Sequence, residues 1–324
     1  MTPSALTAAL KEEAFRLGFD LAGATPAVPA AGLGRFRQWL ADGFAGQMGY
    51  LSALADAREH PQHVLPGVQS ILMLAMVYRS VEPVPAGPGQ GTIARYAWGL
   101  DYHAVVRQAL RRLAELHRRL APGAAVRGVV DTAPLLEREF AQLAGLGSIG
   151  KNTLLVNRRL GSWLVLAALL SSQPLEYDQP AEASFCGDCR ACLDACPTGA
   201  LVEPYRLDAR KCISYLTIES PAEPPEDALR RAMGPRLFGC DACQEACPWN
   251  RATPASLKPE FQPRPGMNPV DLARLVALDE PAFRLEFQGT ALVRAGRARL
   301  VQRAAAILGR TSVHPMPPTD RSVE

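Results

Sequence analysis

The sequence has no cysteine outside one short region and very little lysine anywhere. No cysteine occurs before Cys186 or after Cys247, which excludes a disulfide framework spread through the fold. Only four of the 35 basic residues are lysines, so arginine carries almost all the positive charge. Arginine suits bidentate contact with phosphate, but a net charge of +3 neither requires nor excludes a nucleic-acid partner.

Long apolar runs are also missing. The longest, Trp163–Leu170, is far shorter than the roughly 20 residues that cross a bilayer. The first residues show neither the charged-then-apolar pattern of a secretory signal nor a twin-arginine signal. We therefore expect a protein of the reducing cytoplasm without membrane contact.

All eight cysteines lie in two blocks between positions 186 and 247. The first block is a CxxCxxCxxxCP run over 186–197, and the second has a single cysteine followed by CxxCxxxCP over 240–248. Thiolates at this spacing hold two [4Fe–4S] clusters, and the last cysteine of each block binds the cluster of the other block. The predicted ligands of cluster one are Cys186, Cys189, Cys192 and Cys247. The predicted ligands of cluster two are Cys196, Cys212, Cys240 and Cys243.

Structural zinc and disulfides are the alternatives for these cysteines. Paired CxxC units also bind zinc, whereas a reducing compartment disfavours disulfides. The proline after each last cysteine and the interleaving of two complete quartets are more than zinc requires. The pattern therefore favours clusters, whose task is to pass electrons one at a time.

Apolar periodicity predicts an α/β (α+β) fold before the cysteines. We predict helices near 4–17, 35–41, 47–57, 102–120 and 134–143, with Ser4 as the first cap and Pro134 in the last helix's first turn. Predicted strands cover 69–78, 125–130, 152–156 and 162–170. The predicted units are an α/β domain over 1–178, a bacterial ferredoxin-like two-cluster domain over 179–255, a helical segment over 256–312 and a loose tail over 313–324.

The loop 145–152 matches both GxGxxG and GxxxxGK, the patterns of dinucleotide and phosphate binding. Both motifs require a preceding strand, whereas this loop follows a predicted helix, and Asn152 stands where a phosphate loop has Ser or Thr. Two readings stay open, a tight connection or a set of backbone amides that meets a large polar ligand.

Asp131 follows a predicted strand, where ligands bind in open α/β sheets, and is the candidate for acid-base chemistry. Capping the next helix is the structural alternative, because Asp131-Thr-Ala-Pro134 is also a good helix start. Glu137 and Arg138 are interpreted as structural. His103, at the start of a helix, faces either solvent or a site. No histidine has the spacing of a mononuclear metal ligand.

Several motifs in this order resemble the epoxyqueuosine reductases, iron–sulfur and cobalamin enzymes that complete queuosine synthesis in tRNA. The resemblance covers nearly the whole chain. It is carried by Gly46-Gln-Met-Gly-Tyr50-Leu, Arg58, Pro61, Ala94-Arg-Tyr96-Ala, Gly99-Leu-Asp-Tyr-His103, Val130-Asp-Thr-Ala-Pro134, Glu137-Arg138, the segment 144–153, Gly161-Ser-Trp163 and both cysteine blocks.

The resemblance implies reduction of epoxyqueuosine to queuosine in tRNA, with two [4Fe–4S] clusters and cobalamin as cofactors. Asp131 takes the place of the proton donor, and burial beside the corrin would keep it protonated. The helical segment implies a HEAT-like repeat that binds tRNA with a queuosine-type anticodon loop. A flavodoxin, a ferredoxin or an artificial reductant would supply electrons to a monomer. The residues implied to line cobalamin are Arg58, Tyr96, Asp131, Gly150, Lys151, Asn152, Leu155 and Ser214.

The chain departs from the family pattern at two places. Ser148 stands where tryptophan is expected in the glycine loop, which would reshape part of the cofactor pocket, and Gln302-Arg303-Ala304 stands where an Arg-Asn pair is expected against tRNA. Two other functions compete with the reductase. A corrinoid and iron–sulfur dehalogenase would be expected to carry an export signal, and a simple electron carrier would leave the domain before the cysteines without a task.

Overall fold

The computed structural model describes residues 1–309 apart from 183, 221–223 and 225, so the predicted tail lies outside the described residues. The helices are α1 (Pro3–Arg16), α2 (Leu33–Ala41), α3 (Gly49–Ala53), α4 (Tyr102–Leu120), α5 (Glu137–Leu143), α6 (Ala191–Asp194), α7 (Ile213–Ile218), α8 (Asp227–Met233), α9 (Ala242–Glu245), α10 (Leu272–Ala277), α11 (Glu280–Glu286), α12 (Leu292–Ala295) and α13 (Arg297–Ile307). The strands are β1 (Leu21–Pro26), β2 (Ser70–Val77), β3 (Gln90–Ile93), β4 (Val126–Val129), β5 (Ser148–Ile149), β6 (Leu155–Val156), β7 (Leu164–Ser171), β8 (Leu201–Glu203), β9 (Arg206–Leu207), β10 (Arg236–Phe238) and β11 (Val270–Asp271).

A four-stranded sheet of order β1-β2-β7-β4 forms the centre of the first unit, and all three of its strand pairs are antiparallel. Every residue of β2 is buried, and the residues alternate between the two faces. Leu72 and Leu74 pack with α1 and α4, whereas Ile71 and Met73 pack with α5 on the other face. The fold is therefore α+β, and helices cover both faces of an antiparallel sheet.

Several predicted boundaries need correction. Helix α1 is capped by Thr2, whose side chain accepts a hydrogen bond of 3.2 Å from Ala5 N. The Ser4 hydroxyl instead donates to Glu176. Helix α5 starts at Glu137, because residues 131–136 first form a turn, so Pro134 lies before the helix. The antiparallel sheet also removes the reason given for Asp131, since the rule on the carboxyl ends of strands belongs to parallel sheets.

A second sheet, of order β10-β3-β11, takes one strand from each of the three predicted units. It lies in a core with the four C-terminal helices, in which Phe238 packs with Leu272, Phe283 and Leu300. The helical prediction for 269–308 is confirmed as helices α10–α13, and their proposed repeat character stays a prediction. None of the described helices is long and apolar enough to cross a membrane.

Candidate functional site

A cleft with about 1450 Å³ of empty space, part of it open to solvent, separates the central sheet from the cysteine region. One wall consists of Leu164–Leu166 at the start of β7 and of the segment 152–155 after the glycine loop. The opposite wall contains the start of α7 and residues 240–244. Asp131, Tyr102 and Glu137 stand at the remaining side. The cleft thus brings carboxylates, apolar side chains and thiols together.

Asp131 is held by two neighbours from the start of α4. The Tyr102 hydroxyl donates a hydrogen bond to Asp131 Oδ2, and His103 Nε2 lies 2.8 Å from Asp131 Oδ1. Burial favours the neutral acid, but His103 and Tyr102 outweigh it and lower the pKa of Asp131. The expectation that burial alone keeps Asp131 protonated does not fit this geometry, in which the carboxylate is paired.

His103 connects Asp131 to a second acid. Its Nδ1 lies 2.7 Å from Asp101 Oδ1, and Arg294 of α12 lies against the same ring with Nη1 2.6 Å from Nδ1. Burial opposes the charge of the ring, but the hydrogen bonds to Asp101 and Asp131 raise the pKa of His103. These contacts favour the protonated ring, whose proton is shared with Asp131 through the hydrogen bond between them.

Glu137, the first residue of α5, lines the same cleft and is half-buried. Burial raises the pKa of Glu137 to about 7, and the charge of Asp131 adds to this effect. The structural interpretation of this pair of residues fits Arg138, which donates to Thr153 O at 2.9 Å, whereas the described residues provide no hydrogen bond or ion pair for Glu137.

All eight cysteines are free thiols, so the disulfide alternative is not realised. Burial raises the pKa of Cys192, and the thiols of Cys247 and Cys186 add to the effect. Burial likewise raises the pKa of Cys247, and the thiols of Cys186 and Cys189 add to it. These thiols come from both blocks. They are the four thiols that the exchanged-ligand rule assigns to cluster one.

The other four thiols form a second group. Burial raises the pKa of Cys243, and the thiols of Cys240, Cys212 and Cys196 add to the effect. Burial also raises the pKa of Cys212, with Cys196 contributing, and that of Cys240 to about 11, with Cys212 contributing. Iron would replace these protons, since thiolates are the ligands of a cluster.

The two thiol groups differ in where they lie. All four thiols of the second group line the cleft, whereas Cys189 of the first group is exposed on the surface. A cluster on the first group would therefore be open to an external partner. A cluster on the second group would face the inside of the cleft.

Five of the eight residues predicted to contact cobalamin line the cleft, namely Tyr96, Asp131, Asn152, Leu155 and Ser214. Asn152 is 5% exposed, and its Nδ2 has no hydrogen-bond partner among the described residues. A buried amide donor without a partner costs about 1–3 kcal/mol, so it fits a ligand that brings an acceptor. The width of the cleft, its apolar wall and this donor fit a corrin with amide groups at its rim.

The other three predicted residues lie outside the lining of the cleft as far as the structure describes it. The Lys151 ammonium donates to Cys189 O at 3.0 Å and to Gly187 O, so it holds the first cysteine loop. Arg58 donates to Leu54 O at 2.9 Å and stacks on Phe36. Gly150 accepts from Thr153 N in the turn of the loop.

The glycine loop is explained mainly by close packing. A Cβ on Gly147 would lie 2.4 Å from Val156 O, so no larger residue fits there without a shift of the backbone. Thr153 adopts φ 68°, which is unusual for a β-branched residue and occurs beside the cleft. The loop is thus a tight connection whose last residues reach the ligand space.

The two departures from the family pattern lie outside the described lining of the cleft. Ser148 is buried and donates to Glu182 O at 2.5 Å, so it fastens the start of the cysteine region. Arg303 is also buried and donates to Arg236 O at 3.0 Å and to Gly234 O at 2.9 Å. Arg303 therefore joins α13 to β10 and is not presented to a partner.

A buried polar network fixes the cysteine region against the first unit. Gln244 of α9 donates to the Tyr78 hydroxyl at 2.9 Å and accepts from Ser162 Oγ at 2.9 Å. Asn250 Nδ2 donates to Ser162 Oγ at 2.9 Å, and Asn250 Oδ1 accepts from Ser162 N at 2.7 Å. This network holds one wall of the cleft against the other.

Sequence reasoning missed the roles of Tyr102, His103 and Glu137 at this site. A signal was present, because both segments belong to the motifs that carry the family resemblance. The position of Arg294 has no such signal, since it lies 191 residues from His103.

Comparison with known proteins identifies two family models in the chain. Residues 185–250 match a 4Fe-4S double cluster binding domain, and residues 58–132 match the model described as epoxyqueuosine reductase QueG, DUF1730. The chain is 40% identical over 311 residues to the epoxyqueuosine reductase of Pseudomonas aeruginosa, covering 95% of this chain and 86% of that protein. It is 39% identical over 304 residues to that of Escherichia coli, covering 93% and 80%.

Solved structures agree with these relatives. An epoxyqueuosine reductase in complex with an epoxyqueuosine-modified tRNA-Tyr stem loop superposes with a TM-score of 0.87 at 32% identity, covering 94% of this chain and 81% of that one. The Bacillus subtilis enzyme, solved with an aspartate-bearing catalytic loop swung out of the active site, gives 0.86 at 32% identity, covering 94% and 82%. Because identity is 39–40% over 93–95% of this chain and 80–86% of these relatives, the chain belongs to the epoxyqueuosine reductase family.

Proposed function

We propose that this protein reduces epoxyqueuosine to queuosine in tRNA, with electrons delivered through two [4Fe–4S] clusters to a cobalamin in the cleft. One observation carries the proposal: a single cleft has four thiols of one crossed quartet on one side and Asp131 with its proton-holding neighbours on the other. The reaction needs both, since opening an epoxide to an alkene consumes two electrons and two protons and releases water.

The two thiol groups support a direction for the electrons. The group that includes the exposed Cys189 is suited to receive electrons from an external donor, and the group that lines the cleft is suited to pass them inward. When bound, cobalamin supplies a cobalt centre that is reduced by the clusters and in turn reduces the substrate. Tyr96, Asn152, Leu155 and Ser214 would hold it, with the free amide of Asn152 as a donor to its rim.

Asp131 acts as the proton donor together with His103. The hydrogen bond of 2.8 Å between them keeps one proton within reach of the Asp131 carboxyl group, which is 38% exposed at the cleft. An epoxide oxygen is a poor leaving group until it is protonated, and a positioned acid is worth about 10²- to 10⁴-fold in rate. His103 and Tyr102 orient the carboxyl group, and the cleft presents it to the substrate.

The partners follow from the family. The relative solved with a tRNA stem loop supports binding of tRNA with a queuosine-type anticodon loop. A flavodoxin, a ferredoxin or an artificial reductant stays the predicted donor, and a monomeric state and a cytoplasmic location stay predictions. The domain boundaries at 178, 255 and 312 and the HEAT-like repeat are likewise proposed.

The test uses the full chain, purified anaerobically and supplied with cobalamin, a chemical reductant and an epoxyqueuosine-modified tRNA stem loop. We expect queuosine by mass spectrometry and a loss of about 10²-fold or more in the Asp131→Asn variant. Asp56→Asn is the matched control, because Asp56 is 91% exposed and lies outside the described lining of the cleft. Protein with intact clusters that binds no cobalamin would overturn the proposal in favour of an electron carrier. Full turnover by Asp131→Asn would overturn the role of Asp131.

A further inference from the structure

Glu137 is one of three carboxyl groups in the described lining of the cleft, and it differs from the other two in its contacts. Asp241 and Asp131 are both hydrogen bonded, whereas Glu137 has neither a hydrogen bond nor an ion pair within the described part of the chain. It is half-buried and follows the turn that the segment 131–136 forms. Glu139, also on α5, has a structural task, since its Oε2 accepts from Gly32 N at 2.8 Å. No structural partner among the described residues thus explains the place of the Glu137 carboxyl group.

The groups around Glu137 favour its neutral form. Asp131, which follows β4, and Tyr102 and His103 of α4 are the polar neighbours of Glu137 in this part of the site. The apolar side chains of the cleft wall come from the strands β6 and β7, namely Leu155, Leu164 and Leu166. Arg138 is the nearest cation, and it is turned to Thr153 O. Burial raises the pKa of Glu137 to about 7, and Asp131 adds to this effect, whereas Arg138 and His103 oppose it. A sizeable fraction of Glu137 thus holds a proton at neutral pH.

We infer that Glu137 is a second general acid of this active site, which donates a proton to the oxygen that leaves the substrate. This inference rests on the proposed function and deepens it. The Asp131–His103 pair shares a single proton, whereas the reaction consumes two. Glu137 lines the same cleft and needs no other residue to release its proton.

The reduction of the epoxide to an alkene balances in bonds, electrons and protons. Both C–O bonds of the epoxide break and one carbon–carbon π bond forms, using the two electrons that the reductant supplies through the clusters. The first proton, from the Asp131–His103 pair, converts the ring oxygen to a hydroxyl group. The second proton, from Glu137, converts that hydroxyl group to water as it departs. Solvent then returns one proton to the Asp131–His103 pair and one to Glu137 through the open side of the cleft.

The experiment compares wild type, Glu137→Gln, Glu137→Asp and Glu139→Gln in single-turnover reduction of the tRNA stem loop across the neutral pH range. We expect Glu137→Gln to be slower by about 10²-fold and Glu137→Asp to recover part of the rate. Above neutral pH the logarithm of the wild-type rate should fall more steeply than that of Glu137→Gln, because the variant lacks the acid that loses its proton near pH 7. Glu139→Gln should match wild type, since glutamine still accepts from Gly32 N.

A second measurement is independent of turnover. Infrared difference spectra of the reductant-free protein should show a protonated carboxyl band that titrates near pH 7, is absent in Glu137→Gln and persists in Glu139→Gln. A wild-type rate and slope in Glu137→Gln, or a carboxyl band unchanged by that substitution, would overturn the inference while leaving the proposed function intact. Wild-type protein that forms no queuosine would overturn both.

Discussion

Pairs of cysteine substitutions can decide whether the two blocks exchange their last ligands. In the crossed arrangement Cys196 shares a cluster with Cys212, and Cys192 belongs to the other cluster. In the uncrossed alternative each cluster uses only its own block, so Cys196 shares a cluster with Cys192. The structure favours crossing, because the thiol of Cys196 contributes to the raised pKa of Cys212 and Cys243, both in the second block.

The expected magnitude is a count of iron atoms. Two [4Fe–4S] clusters contain about eight irons, and loss of one cluster leaves about four. Cys196→Ala with Cys212→Ala should remove two ligands of the same cluster and leave about four irons. Cys196→Ala with Cys192→Ala should remove a ligand from each cluster and leave about none. The uncrossed arrangement predicts the opposite result for each pair.

The assay is anaerobic purification after reconstitution, iron and sulfide analysis, and electron paramagnetic resonance of the reduced protein. Two reduced clusters close together broaden each other's signals, so the Cys196→Ala, Cys212→Ala protein should give the simple spectrum of one isolated cluster. An iron content near zero in that protein and near four in the Cys196→Ala, Cys192→Ala protein would refute crossing. Zinc in place of iron in wild type would refute the clusters themselves.

Three further predictions concern single residues. The pKa of Glu137 rises from 4.5 to about 7 on folding, so its contribution to stability is complete below about pH 4.5 and is lost as pH rises through 7. The loss amounts to at most about 3 kcal/mol. In anaerobic urea unfolding, the free energy of unfolding of Glu137→Gln should therefore vary less with pH over this range than that of wild type, and an equal variation would contradict the burial of the Glu137 carboxyl group. Ser162→Ala should lower the free energy of unfolding by about 1–3 kcal/mol, because Gln244 and Asn250 each lose a hydrogen-bond partner. Ser52→Ala, at an exposed position, is the control. Equal stability of the two variants would show that the Ser162 network does not stabilise the fold. Asn152→Ala should weaken cobalamin binding by about tenfold in a spectroscopic titration, whereas an unchanged affinity would show that the free amide does not meet the ligand.

Much of the fold can be predicted from the sequence, and the reason differs between elements. Helix α4 spans the predicted residues 102–120, since its apolar face repeats with the period of a helix. Strands β2 and β7 are recognised as apolar runs, but both are buried on two faces. Such runs carry no information on strand direction. For this reason the sequence predicts a ligand site typical of parallel sheets, whereas the sheet is antiparallel.

The cluster ligands of the candidate site could be predicted from the sequence, whereas the partners of Asp131 could not. Cysteine spacing constrains the ligands of a cluster directly, so two complete quartets can be predicted from the sequence, and thiols within each quartet contribute to one another's raised pKa. The partners of Asp131 depend on tertiary contacts between distant segments. Lys151 illustrates the limit, because the family resemblance implies cobalamin contact for it, whereas its ammonium donates to Cys189 O at 3.0 Å.

The contact between Arg294 and His103 links the C-terminal helices to the Asp131–His103 pair. Arg294 belongs to α12, which packs in the same hydrophobic core as the strands β3 and β10. The second sheet therefore helps to position the Arg294 guanidinium. It lies against the ring that shares a proton with Asp131, and its positive charge opposes protonation of that ring. Because Arg294 also lowers the pKa of Asp131, any movement of α12 away from the ring would raise the pKa of both His103 and Asp131. Arg294 thus couples the helices that the family resemblance assigns to tRNA to the protonation of the Asp131–His103 pair.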